Sequence, residues 1–324
     1  MENLTFDALF GADPTPGAQR LPVMLPGVGR ACCNSHPLAL KGQGGPFCRA
    51  AVPPGIARWY ADLAGAGRLM THLFSSVRGP STPNHLMLMC AQTPVIRDVP
   101  VREIPALPSI VDRLEERHFT WRAYSGRVDG GLALLPQLRH RPEQRPWTAF
   151  LTDAAQDCLP HLSWVIPPFT LSQHSPAPWI WGTAFLSQVL SAWAASPAWA
   201  ESLVLVLWDD WGGYVDHVPP PVVERWRDGT PFRNGFRVPA YVFSPEVAPG
   251  FDDTPAAGLS FLKLIEQIWG FAPLTWRDAA APSLLSLVVG RPVAPRPTIP
   301  PLPLPPRVLQ QVGDRLAHLG SQVT

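Results

Sequence analysis

Two adjacent carboxylates, Asp209 and Asp210, close an unbroken apolar run and are followed at once by Trp211-Gly212-Gly213. Placed at the carboxyl end of a strand, such a pair sits where open α/β sheets bind ligands. The glycines allow a tight turn and close approach of the backbone to a ligand. Two neighbouring acids repel, and holding both ionised beside a third calls for a cation. A third acid, Glu2, stands at the chain start with Asn3 beside it as a neutral oxygen donor; hard divalent cations take oxygen donors of this kind. Ser81 lies in Arg78-Gly-Pro-Ser-Thr-Pro-Asn84-His85, a stiff Pro-flanked turn on which a metal-activated hydroxyl can serve as a nucleophile. His174, in Ser172-Gln-His-Ser-Pro176, has the chemistry to protonate a leaving oxygen. His36 and the Asp216-His217 pair are further candidates. Taken singly, each has a plainer reading: a solvated acidic pair, an exposed start, an ordinary turn, a histidine packed in its loop.

The elements that must carry these residues follow from hydrophobic pattern. Leu203 to Trp208 is a continuous apolar run, the mark of a strand covered on both faces, as parallel strands are. Ala240 to Phe243 is a second such strand, and Ser163 to Ile166 a short buried one. Helices are predicted over 55–66, from Ser109 to about Arg117, and from Leu259 to Trp269. The uncharged stretch Ser175–Ala200 is long enough to span a bilayer. However, it contains prolines and serines, and Phe185, Leu186, Val189, Leu190 and Trp193 recur on one helical face. It reads as a core helix. Alternating strands and helices give an α/β layer architecture with a mostly parallel sheet.

Composition bounds the rest. With 324 residues, 46% hydrophobic, and a net charge of +1, the chain is apolar enough to fold and lacks the basic footprint of a nucleic-acid binder. The basic residues are almost all arginine, Lys41 and Lys263 being the lysines. The five cysteines lack C-x-x-C spacing, which argues against a zinc ribbon; a disulfide within the Cys32/Cys33/Cys48 group stays open. Eight prolines between Pro292 and Pro306 set off a tail from the domain over 1–290. They favour a polyproline II spacer, and residues 308–319 carry a short amphipathic helix with Val308, Leu309, Val312, Leu316 and Leu319 on one stripe. The tail serves as a docking element or as a strap over its own domain.

Several of these segments occur together and in order. Met1-Glu-Asn-Leu-Thr-Phe-Asp-Ala-Leu-Phe-Gly11 resembles the M-E-N-R-S-F-D-x-x-F-G signature of the bacterial phosphoesterase family, which holds non-specific phospholipases C and acid phosphatases within the alkaline-phosphatase-like superfamily. The stretch Phe74 to Asn84 is similar to its G-P-[ST]-x-P-N turn, and Leu207 to Pro221 to its W-D-[DE]-x-G-G-F-x-D-H-V-P-P-P block. Segments from Leu114 to Tyr124, Ser163 to Pro168, Arg237 to Ala240 and Pro273 to Ala280 extend the likeness to about residue 288.

The resemblance implies a three-layer sandwich around a mostly parallel central sheet, and hydrolysis of a phosphate ester or phospholipid through a phosphoserine intermediate. It makes Glu2, Asn3, Asp209 and Asp210 the ligands of one divalent cation and Ser81 the nucleophile. It puts His174 near the leaving group and Asn84, His36 and His217 near the substrate. The family usually carries a strand before M-E-N. The chain itself shows no signal peptide and leaves localisation open; if its start is truncated, the resemblance implies that this strand and a secretion signal precede Met1, and a secreted or periplasmic protein. Two blocks depart from the pattern. E-H-P-P reads Gln173-His-Ser-Pro176. In D-H-T-x-Y-D-H-T-S, two histidines and an aspartate are replaced by Asp253, Gly258 and Ala257. That second change motivates an alternative, a non-catalytic member that binds phosphate-bearing ligands or a partner.

Overall fold

The computed structural model describes residues 1–12, 15–21, 51–126, 130–174, 177–288 and 294–321. His36 and the Cys32/Cys33/Cys48 group lie outside the described residues. In chain order the elements that matter are helix α1 (Phe6–Phe10), α2 (Pro54–Leu63), strands β1 (Arg68–Met70) and β2 (Leu73–Phe74), and α3 (Ser81–Cys90). They continue with α4 (Ile110–Glu116), β3 (Trp121–Ser125), β4 (Gln144–Pro146), α5 (Thr148–Ala155), β5 (Leu162–Ile166) and α6 (Trp179–Ala195). Next come β6 (Val204–Leu207), β7 (Val222–Arg225), β8 (Pro231–Arg233), β9 (Ala240–Phe243), β10 (Gly250–Asp252) and β11 (Ala256–Ala257). The last are α7 (Gly258–Trp269), α8 (Trp276–Ala280) and α9 (Pro306–Ser321).

Four strands form one sheet in the order β10-β1-β9-β6, and three form another in the order β4-β3-β5. The β1–β10, β2–β11, β3–β4 and β3–β5 ladders are parallel. The two strands read most clearly from sequence, β6 and β9, pair antiparallel, Val204 opposite Phe243 and Leu207 opposite Ala240. This corrects the parallel reading of those two: an unbroken apolar run reports cover on both faces, and says nothing of direction.

The core follows the predicted faces. Phe185, Leu186, Val189, Leu190 and Trp193 of α6 are buried with Trp147, Trp208 and Tyr241 in one apolar cluster. Among the described residues no helix is long and apolar enough to cross a membrane. Ser109 and Asp112 close a capping box at the start of α4. In the tail, Trp59 Nε1 donates to the Pro300 carbonyl at 2.9 Å, and Val312 and Leu316 of α9 are buried. Val308 and Leu309 of the same stripe are exposed, and the side chain of Leu319 lies outside the described ones.

The first residues are threaded into the fold. The Met1 amino group donates to the Leu207 carbonyl at 3.1 Å, and the Asp209 amide donates back to Met1 at 3.2 Å. On the opposite side the Glu2 amide donates to the Ser172 carbonyl at 2.9 Å. Glu2 and Asn3 are thereby fixed between the end of β6 and the loop beyond β5.

Candidate active site

The site grows from three backbone ends. The first is the end of β6, where Asp210 accepts the Gly212 amide on Oδ1 at 2.7 Å. Gly212 has φ +61°, and a Cβ there would lie 2.4 Å from the Asn3 Cβ and 2.5 Å from the Asn3 carbonyl oxygen. Only glycine lets the N-terminal segment pass that close. Asn3 itself adopts φ +67°, a costly conformation for a residue with a side chain, and the kind of local strain that clusters at functional sites.

The second is the turn before α3. Asn84 Oδ1 accepts the Val77 amide at 2.8 Å, and its Nδ2 donates to the Gly79 and Pro80 carbonyls at 2.9 and 3.0 Å. The side chain expected near the substrate spends its hydrogen bonds on the turn and so aims Ser81. Ser81 opens the ten-residue α3 rather than a plain turn, and Pro83 is tolerated because it falls in the first helical turn. The Ser81 hydroxyl donates to Asp210 Oδ2 at 3.0 Å, joining residues 129 apart in the chain.

The third is the loop after β5. The Ser172 hydroxyl reaches Glu2 Oε2 at 3.3 Å and accepts the His174 amide at 3.1 Å, while the His174 ring packs on Phe169 at 4.5 Å. Gln173, the residue in place of the family's acid, is buried and saturated. It accepts from Trp208 Nε1 and donates to the Tyr60 hydroxyl and the Trp179 carbonyl. The Tyr60 hydroxyl could turn to donate to a carboxylate, but the Trp179 carbonyl can only accept, so an acid here would leave it without a proton donor.

Asp209 differs from all its neighbours. It is 4% exposed, and neither carboxylate oxygen accepts a hydrogen bond. Burial, then the charges of Asp210 and Glu2, push its pKa well above the usual carboxylate range, against the pull of the Met1 ammonium and the Ser81 hydroxyl. His85 Nε2 stands 3.6 Å from Asp209 Oδ2. His85 was not singled out from sequence, although its position four residues after Ser81 on one helix face is a readable signal. Carboxylate, amide and hydroxyl oxygens are the donors a hard divalent cation takes, but Glu2, Asp209, Asp210 and His85 are not among the described residues whose ligand atoms come within 4.8 Å of one another.

Among the described residues, the acids and histidines whose ligand atoms come within 4.8 Å of one another are a different set: Asp7, Asp216 and His217. These are already occupied by the protein. Arg237, fully buried, donates from Nε to Asp216 Oδ1 at 3.0 Å and from Nη2 to Asp7 Oδ1 at 3.2 Å. His217 Nδ1 lies 2.7 Å from Asp7 Oδ2, and the His217 and Gln19 amides donate to Asp7 at 2.9 and 2.7 Å. This group borders a pocket of about 290 Å³ with Gln19, Leu21 and Val215. His217 is thus held by the Asp7–Arg237 network, and its ring contacts are to Asp7 and Asp216. The altered block packs beside the Ser81 turn: β11 pairs with β2, and a Cβ at Gly258 would lie 2.6 Å from Ser76 Oγ.

The fold and this arrangement define a phosphoesterase class of protein. Residues 53–272 match the Phosphoesterase family, and the chain belongs to it. It is 29% identical over 225 residues to the non-hemolytic phospholipase C of Pseudomonas aeruginosa, covering 54% of this chain and 32% of that protein. It is 27% identical over 271 residues to phospholipase C B of Mycobacterium tuberculosis, covering 66% of this chain and 51% of that one. A match to the non-specific phospholipase C3 of Arabidopsis thaliana runs at 26% over 239 residues, 65% of this chain and 45% of the relative. The chain therefore spans about half or less of these relatives. In three dimensions it resembles a protein of the alkaline phosphatase superfamily from Vibrio parahaemolyticus, with a TM-score of 0.51 at 14% identity, over 81% of this chain and 68% of that one.

Proposed function

We propose that the protein hydrolyses phosphate esters, of the phospholipase C or acid phosphatase type, with Ser81 as nucleophile. The observation that carries this reading is the 3.0 Å contact of the Ser81 hydroxyl with Asp210, beside the buried Asp209 carboxylate that accepts nothing. Ser81 Oγ forms the new bond to phosphorus, the ester oxygen departs, and the serine proton passes to Asp210 Oδ2. Water then cleaves the phosphoserine and regenerates the hydroxyl. Ser81 is the first residue of α3, so the positive end of that helix faces the transferring group. We assign the proton for the departing oxygen to His174, whose amide donates to the Ser172 hydroxyl beside Glu2. Glu2, Asn3, Asp209 and Asp210 would hold one divalent cation, which supplies charge stabilisation for the phosphoryl oxygens.

The test is turnover of p-nitrophenyl phosphate and p-nitrophenyl phosphorylcholine with a series of divalent cations, against Ser81→Ala. Expected is hydrolysis that Ser81→Ala reduces by about a thousand-fold or more, and a phosphoserine on Ser81 after acid quenching. No turnover above that control with any cation sinks the proposal. One observation favours a second reading, a non-catalytic phosphate-ligand binder. Ala257 ends β11, which pairs with β2 ahead of the Ser81 turn, and Gly258 opens α7, where a larger side chain meets Ser76. Ligand binding without hydrolysis decides for it, and a trapped phosphoserine decides against it.

A further inference from the structure

The loop that leaves the site, 211–221, rises into a two-stranded hairpin, β7–β8, whose apolar residues are uncovered. Val222 and Val223 are 41% and 49% exposed and Trp226 is 51% exposed. A register irregularity between Val222 and Glu224 interrupts the regular alternation there, and both valines stay exposed. Isolated hairpins are marginal in water. This one is held by the edge contact of Trp226 with Phe232 at 5.3 Å and by a turn in which Asp228 accepts the Thr230 amide at 2.9 Å. Its side joins α8 through Arg277 and Glu224 at 3.2 Å, which brings Trp276, 58% exposed, onto the same surface. Its root is fixed to the site: the Gly235 amide donates to the Ser75 carbonyl at 3.0 Å, and Trp211 packs on Phe236 at 5.7 Å. The charges around it are Arg225, Arg227, Arg233 and Arg277 against Glu224 and Asp228, a surplus of cations.

We propose that β7–β8 and the start of α8 form a lipid-surface anchor, with Trp226, Trp276 and Val223 seated at the headgroup boundary and the arginines on the phosphates. Tryptophan with an apolar body and a polar edge suits that boundary, and basic residues beside it are drawn to anionic headgroups. The inference rests on a phospholipid substrate for Ser81, because it carries the site's rim to the membrane. Exposed tryptophans and valines beside a surplus of arginines favour an anionic lipid surface over a soluble partner.

The experiment is flotation of the full chain with vesicles of phosphatidylcholine and phosphatidylglycerol. The wild type is compared with Val223→Ser/Trp226→Ser, and folding is checked by the melting transition. Wild type is expected to float, the double variant to bind about ten-fold less, and high salt to weaken wild-type binding. Hydrolysis of soluble p-nitrophenyl phosphorylcholine should stay unchanged in the variant. Wild type left at the bottom of the gradient, or a variant that floats equally well, overturns the anchor. So does a wild-type dimer that the variant dissociates without any vesicle binding, which makes the patch a self-association surface. Flotation without hydrolysis of any ester leaves the anchor standing and removes the esterase reading; hydrolysis without flotation does the reverse.

Discussion

Among the described residues, the acids around Asp7 and those around Asp209 differ in who satisfies them. Asp7 and Asp216 are buried among Arg237, His217 and several backbone amides, so their charges and lone pairs are met from within. Asp209 is as buried, beside Asp210 and Glu2, and neither of its oxygens accepts a hydrogen bond. Burying a carboxylate without a partner costs several kcal/mol. The cluster closest to a ligand-sharing geometry is therefore finished structure, and the one left unsatisfied is where an external cation and phosphate have something to gain.

The largest effect expected from this contrast is on the finished cluster. Arg237 also donates to the Thr71 and Gly17 carbonyls and lies 4.4 Å from the Phe6 ring. Arg237→Met leaves two buried carboxylates facing each other and should cost about 3–5 kcal/mol, read as a lower urea midpoint. A loss below about 1 kcal/mol would mean the network is not the brace its geometry indicates.

Asp209 should respond with the opposite sign. Its folded-state pKa is raised, so its contribution to stability is full below the unfolded value and is lost as pH climbs toward the folded one. Without divalent cations, Asp209→Asn should therefore melt higher than wild type at pH 8, with the gap closing near pH 4. Adding a cation should raise the wild-type midpoint, by about 2.7 kcal/mol at a hundred times its dissociation constant, and leave the variant's nearly still. Equal cation shifts in both proteins would transfer the ligand role away from Asp209.

The sequence made some of this readable and hid the rest, for physical reasons. The β6 and β9 runs and the α6 stripe announce themselves because burial writes its pattern into neighbouring residues. Strand direction does not, because the same residues suit either ladder. The twin aspartates and the Pro-flanked serine were visible as local chemistry, and their 3.0 Å meeting was foreseeable from the family resemblance alone. Asn84 is expected near the substrate, but its partners are four backbone groups of its own turn, and composition does not record them. Least legible was Arg237, which reaches Asp7 across 230 positions; no short motif spans that distance.

A third buried acid sharpens the comparison with the smallest effect on the response to cations. Glu266 of α7 is 2% exposed with neither carboxylate oxygen hydrogen-bonded, which makes it as unsatisfied as Asp209. Burial, then Asp278, pushes its pKa up to about 8. Asp278 is itself committed to the start of α8, accepting the Leu274 and Thr275 amides at 2.6 and 2.8 Å. Glu266 has the acid Asp278 beside it, whose carboxylate is taken up by amides, and Glu266 relieves its burial by keeping its proton. Its stabilising contribution is whole below the unfolded carboxylate pKa and is lost between there and about pH 8. Glu266→Gln should thus melt higher than wild type at pH 9 and match it at pH 4. Divalent cations should shift both proteins alike, since neither touches the residues around Ser81. A cation shift that vanished with Glu266→Gln would show that any orphaned carboxylate in this fold recruits metal, and would dissolve the distinction on which the assignment of Asp209 stands.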